Sequence, residues 1–186
     1  MDYDAFLASR LAHARELEQR YIAATNGLTV EELSRRPSTG EWGLGEITEH
    51  LNITYRSYLP EMETALRHAP APRGGQVKIG WLMQRVIRSL GPSGNVPVPP
   101  NMRPGKGPWG AEHRDEFLTL HHRLMEIIRL AHAHDARRVK FVDDFVRPLG
   151  IPLVRFWVID GIEMMVVHTE RHVGQMETRR PFVPNV

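Results

Sequence analysis

Four long stretches of this chain place apolar residues at steps of three and four with charges between them, the spacing of helices that bury one face. No segment shows the strict alternation of a half-buried strand. Residues 3–25 align Leu7, Leu11, Ala14, Leu17, Tyr21 and Ile22, and Asn26-Gly27 ends the run. Residues 44–67 align Ile47, His50, Leu51, Thr54, Tyr58 and Met62, with Pro60 expected to bend the helix without stopping it. Residues 112–134 align Phe117, His121, Leu124, Ile128 and Ala131, and place His132 and His134 in a last turn where positive charge suits the helix dipole. A final helix is expected from Pro152, in its first turn, to about residue 180. Its buried stripe reads Trp157, Gly161, Met164, Met165, His168, His172, Gln175 and Met176.

The connections decide the topology. Thr29 with Glu32 three residues on predicts a short capped turn before the Pro37-Ser38-Thr39-Gly40 loop. After a linker at 69–75, residues 77–90 form a short amphipathic helix, with Ile79, Leu82, Met83, Val86 and Leu90 opposed to Lys78, Arg85 and Arg88. Residues 91–108 hold six prolines, which favour an extended crossover outside the fold, and residues 135–150 read as a loop with one irregular turn. Connections this long suit a bundle with a crossover better than four simple hairpins. The expectation is an all-α four-helix bundle with an extra short amphipathic helix, in one domain over residues 1–186.

The charge balance narrows the partners. With 24 Lys+Arg against 22 Asp+Glu the formal surplus is +2, too small for a general nucleic-acid binder. The charge is nevertheless segregated, because no acid falls between Glu63 and Glu112, whereas Arg67, Arg73, Lys78, Arg85, Arg88, Arg103 and Lys106 all do. That window reads either as a solvated face, as a collar for an anionic small molecule, or as a surface for a membrane or partner helix. There is no cysteine, which excludes disulfides, thiolate metal sites and a cysteine nucleophile. The first residues lack the pattern of a signal peptide, and the most apolar stretch, 149–167, is broken by Arg155, Asp160 and Glu163. A cytoplasmic protein without a membrane span is expected.

Histidine is the over-represented residue, with 10 in 186. His168 and His172 stand four apart on one helix and share its apolar stripe, and His50 lies on the apolar stripe of another. Burying imidazoles without partners is costly, so such rings are either satisfied by hydrogen bonds or bind a cation. The stretch is not the zinc-protease helix, since Glu170 lies two residues past His168, about 200° round, and faces away. His113, His121 and His122 read as ordinary packed or exposed imidazoles. Asn52-Ile53-Thr54 matches a glycosylation tripeptide but sits in mid-helix, and no P-loop, dinucleotide fingerprint or GxSxG elbow occurs.

With Trp42-Gly-Leu-Gly-Glu46-Ile-Thr-Glu-His50-Leu51 opening one helix and His168-Thr-Glu-Arg-His172-Val-Gly-Gln175 near the end of the last, the chain resembles the DinB-like, or YfiT-like, superfamily. The resemblance covers about residues 10–178 and includes the Pro148-Leu-Gly150 turn. It implies a four-helix bundle of crossover topology, a homodimer, for which abundant apolar surface on the first and last helices is also expected, and a divalent metal held by His50, His168 and His172. Relatives include enzymes that use a low-molecular-weight thiol such as mycothiol or bacillithiol, and metal-dependent hydrolases have been proposed. The basic, proline-rich segment 70–108 departs from the family pattern.

Three neutral ligands leave a divalent ion its full charge and open positions, where it acidifies a thiol for S-transfer or a water for hydrolysis. Histidine ligation suits zinc, nickel, cobalt or iron, with zinc or nickel expected first. Glu46, one turn before His50, and Gln175, three residues past His172, are candidates for orienting ligands or solvent. The first functional expectation is a thiol S-transferase acting on a small-molecule substrate, in which Arg85, Arg88 or other residues of the basic window attract the carboxylates of an external, anionic thiol. A metal-dependent hydrolase, or a non-catalytic bundle with a protein partner, are the alternatives.

Overall fold

The computed structural model describes residues 1–37, 40–143 and 154–180. Helix α1 (Tyr3–Thr25) starts where Asp2 accepts from the N–H groups of Asp4 and Ala5. Helix α2 (Val30–Ser34) is fixed by the expected box, in which Glu32 donates its N–H to the Thr29 hydroxyl while its carboxylate accepts from the Thr29 N–H at 2.7 Å. Helix α3 (Leu44–Arg67) runs through Pro60 unbroken, α4 (Trp81–Leu90) is short, and a 3₁₀ turn spans Pro100–Met102. Helices α5 (Ala111–Leu130) and α6 (Val158–Arg179) follow, with strands β1 (Lys140–Asp143) and β2 (Val154–Trp157) between them.

Around the bundle the order is α1, α5, α3, α6, each packed on the next, and α6 returns to α1. The first and second long helices are therefore diagonal, as are the third and fourth, which is the crossover arrangement that the long connections call for. A buried polar chain crosses the centre and touches all four. The Ala14 carbonyl on α1 accepts from His121 Nε2 on α5 at 2.8 Å. With its proton on Nε2, neutral His121 accepts at Nδ1 from the Tyr55 hydroxyl of α3 at 2.8 Å. Tyr55 Oη lies 2.7 Å from Thr169 Oγ1 on α6, which is also 2.8 Å from the Met165 carbonyl. Three neutral side chains bring three protons to four contacts, and burial pushes the His121 pKa down. The Thr169 hydroxyl donates back to the Met165 carbonyl, whose second lone pair is free for it, and shares that proton with Tyr55 Oη.

The structure corrects several boundaries. The connection after α5 contains an antiparallel hairpin, pairing Lys140 with Trp157 and Phe141 with Phe156, where only a loop was expected. Phe141 is buried and meets the Tyr58 ring edge-on, 6.0 Å between centroids. Trp157 consequently belongs to β2 and is 40% exposed, not part of the buried stripe of α6. Helix α6 begins at Val158 because the N–H groups of Val158 and Ile159 donate to the carbonyls of Val139 and Ala136 at 3.0 Å. The expected Pro152 start, like the Pro148-Leu-Gly150 turn and Ser38-Thr39, lies outside the described residues.

Helix α5 stops at Leu130, short of His132 and His134. The Tyr3 hydroxyl donates toward the Ala131 and His134 carbonyls and accepts from the Ala136 N–H, drawing the chain out of helix. His132 pairs with Asp4, and His134 donates to the Ala69 carbonyl. Helix α4 starts four residues later than expected because Gln76 bridges to Asp2 and the Val77 N–H donates to the Met1 carbonyl. Leu82 faces outward at 62% exposure, and Met83 and Ile87 carry the buried stripe instead.

Among the described residues the exposed large apolar side chains are Met1, Val30, Trp81, Leu82, Val96 and Trp157. None lies on α1 or α6, whose apolar faces are turned into the bundle. No helix among the described residues is long and apolar enough to cross a membrane.

Candidate metal centre

Helices α3 and α6 are packed neighbours, and their buried stripes bring His50, His168 and His172 together. Each ring is at most 8% exposed. His168 Nε2 lies 3.3 Å from His50 Nε2 and 3.1 Å from His172 Nε2. Two tautomers are fixed by what lies behind them. His50 Nδ1 sits 2.7 Å from the Met102 carbonyl, which only accepts, so the proton is on Nδ1 and Nε2 offers a lone pair. His172 Nδ1 makes the equivalent bond to Gln175 Oε1 at 2.8 Å.

Two lone pairs, and a third nitrogen free to offer its own, thus point at one another in a water-poor pocket. That donor set fits a cation, since four-coordinate metal–nitrogen bonds of about 2.0–2.1 Å place neighbouring nitrogens about 3.4 Å apart. The three atoms lie within 4.8 Å of one another. His168 Nδ1 is buried without a hydrogen-bond partner among the described residues.

The local field keeps all three rings neutral, the form that ligates a metal. Burial pushes the His168 pKa down to about 3, helped by the neighbouring His50 and Arg171. Burial also holds His172 well below the usual range, with His168 and His50 adding to the effect. For His50, burial outweighs the upward pull of the Met102 carbonyl.

A cavity of about 320 Å³ opens onto the three imidazoles. Its walls come from five elements: Tyr58 of α3, Val86 and Leu90 of α4, Val98 and Met102 of the crossover, Phe156 of β2, and Met164 of α6. The proline-rich segment is therefore a wall of the site and not a detached strap. Arg171 supplies the charge in this lining, and no carboxylate among the described residues joins it.

A family model of the DinB superfamily matches residues 13–176. The chain belongs to the DinB superfamily. Among solved structures it is similar to YfiT from Bacillus subtilis, described as a probable metal-dependent hydrolase with an unusual four-helix bundle topology. The TM-score is 0.57 at 13% identity, over 95% of this chain and 87% of that one. At that identity the likeness concerns the fold. No curated protein matches the chain.

For this member of the superfamily, the other residues singled out by sequence divide. Gln175 does orient a histidine. Glu46 does not, because its carboxylate accepts from the Gly43 N–H at 3.0 Å and pairs with Arg36, completing the cap of α3. Arg85 and Arg88 are exposed and do not line the cavity. Sequence reasoning missed Arg171, which stands one residue before His172 and about 100° off the buried stripe. It also missed Met102, whose carbonyl acts whatever side chain it carries.

Proposed function

We propose that this chain, as one domain over residues 1–186, is a metal-dependent enzyme in which His50, His168 and His172 hold a divalent ion beneath an apolar substrate cavity. The single observation that carries the reading is the convergence of three neutral, buried imidazole nitrogens on a space that opens into that cavity. A divalent ion held there supplies positive charge at an open position and lowers the pKa of a thiol or water that reaches it. Met102 and Gln175 hold the His50 and His172 rings in the tautomer that presents Nε2, and the apolar walls keep bulk water away. Zinc or nickel suits the all-nitrogen donor set.

Between the two reactions, S-transfer from a small external thiol is the reading we favour. Attack by water is usually assisted by a carboxylate or other general base, and no carboxylate lines the cavity among the described residues. A thiol, once it has lost its proton to solvent, needs none. Its sulfur forms a bond to an electrophilic carbon while the leaving group departs with the bonding pair. Hydrolysis is the second reading, and the description of YfiT favours it. A homodimer rests on family resemblance, since the apolar faces of α1 and α6 are already buried within the chain.

The test is to purify the protein without a histidine tag, measure bound metal by mass spectrometry, and assay chromogenic electrophiles and esters with and without bacterial thiols. A thiol-dependent rate supports S-transfer, and a thiol-independent rate supports hydrolysis. A metal-free, fully stable protein refutes both.

A further inference from the structure

Arg171 is on helix α6, directly before His172, and lines the cavity. Among the described residues its one hydrogen bond is from Nη1 to the Ser89 carbonyl, and at 3.4 Å that bond is long. Among the described residues no carboxylate pairs with it. The surrounding wall offers none either, because residues 64–111, which supply α4 and the crossover, contain no acid. The crossover comes close at Gly94, where an added Cβ would lie 3.1 Å from Arg171 Nη1 and 1.8 Å from the Ser89 carbonyl oxygen. Glycine there lets the backbone close against the guanidinium without covering it. A half-buried cation facing an apolar cavity without a counter-charge lacks the partner that such groups normally have.

We propose that the cavity takes substrates with an apolar body and one carboxylate, and that Arg171 is the residue that binds the carboxylate. The inference deepens the functional reading above and rests on it for treating the cavity as a substrate site. The guanidinium donates two parallel N–H bonds to the carboxylate, which fixes the orientation of the substrate. The apolar body lies against Val86, Leu90, Val98 and Phe156, and the far end reaches the histidines. A dianion leaves its second charge against these walls unpaired, so monoanions are preferred.

The test uses the full chain loaded with zinc, with metal content measured on every sample. Calorimetric titration compares 4-phenylbutyrate with 4-phenylbutanamide, which has the same shape without the charge. The carboxylate is expected to bind at least tenfold more tightly. In Arg171→Gln that preference should vanish while the affinity for the amide and the metal content stay as in wild type. Equal binding of the two probes by the wild type, or no binding of either at millimolar concentration, overturns the proposal without needing any variant to fold. A preference that survives in Arg171→Gln and disappears on chelation also overturns it, because the metal then takes the anion. An Arg171-dependent preference in a protein that holds no metal sinks the metal reading and sustains this one. Bound metal without a preference does the reverse.

Discussion

Replacing Tyr55 with phenylalanine removes one oxygen and no carbon, and so separates hydrogen bonding from packing at the centre of the bundle. The ring is fully buried, and its hydroxyl donates to His121 Nδ1 at 2.8 Å while its oxygen lies 2.7 Å from the Thr169 hydroxyl, whose proton it shares with the Met165 carbonyl. In Tyr55→Phe the Thr169 hydroxyl keeps its bond to the Met165 carbonyl, 2.8 Å away, so that end is compensated. His121 Nδ1 has no such alternative, because Nε2 must keep its proton for the Ala14 carbonyl. An unsatisfied buried acceptor costs about 1–3 kcal/mol, and we expect a loss of about 2 kcal/mol. For a chain of this size that corresponds to a fall in Tm of about 4–8 °C. Circular dichroism with urea and thermal unfolding measures it. The variant Thr169→Val should cost about 1 kcal/mol alone and almost nothing on top of Tyr55→Phe, since the shared bond is already gone. An unchanged Tm in Tyr55→Phe, or strict additivity in the double variant, refutes this assignment of protons.

Three further outcomes are expected. His50→Ala and His168→Ala should each reduce bound metal from one ion per chain to a trace while the circular dichroism spectrum stays helical, as measured by mass spectrometry; metal retained in both variants would place the ion elsewhere. Asp160, buried near the start of α6, has its pKa pushed up from 3.8 to about 6 by burial, against the pull of Lys140. The fold therefore favours the neutral carboxyl: the penalty is absent below pH 3.8, grows as pH rises toward 6, and is complete above it. At about 1.4 kcal/mol per tenfold change in proton affinity the penalty is about 3 kcal/mol, of which the cost of burying the amide in its place takes back about 1. Asp160→Asn should gain about 2 kcal/mol at pH 7.5 and nothing at pH 3.5, read from urea midpoints. In Gly45→Ala the new Cβ would sit 2.3 Å from Trp109 Cβ, an atom that moves only with its backbone, and 2.5 Å from its Cγ. Overpacking of about 3 kcal/mol exceeds the gain of about 1 kcal/mol in helix propensity, so urea unfolding should show a net loss.

What the sequence makes legible here follows from how each group is held. Spacing puts His50, His168 and His172 on buried stripes of two helices because a side chain on such a stripe points where the stripe points; the family resemblance groups them, and the packing of α3 on α6 brings them together. Glu46 shares the turn before His50, yet spacing does not say whether its carboxylate turns back to the Gly43 N–H or inward to a ligand. The position of Arg36 decides it, and Arg36 lies outside any helical period. The hairpin is hidden for a different reason. Lys140–Asp143 and Val154–Trp157 are four residues each, too short for alternation to register, and each makes sense only beside the other. Groups that act through the backbone are hidden more completely, as with the Met102 carbonyl behind His50 and the Ala14 carbonyl behind His121, because any residue there supplies the same oxygen. The site joins these two kinds of information. Its histidines come from helical stripes, which many sequences can reproduce, whereas much of its cavity wall comes from the crossover, where proline prevents a helix and leaves Val96–Pro99 and Met102 lining the cavity beside them. On the proposed function, side chains of the crossover, and Arg171, can therefore change the fit of a substrate while the three histidines stay in place.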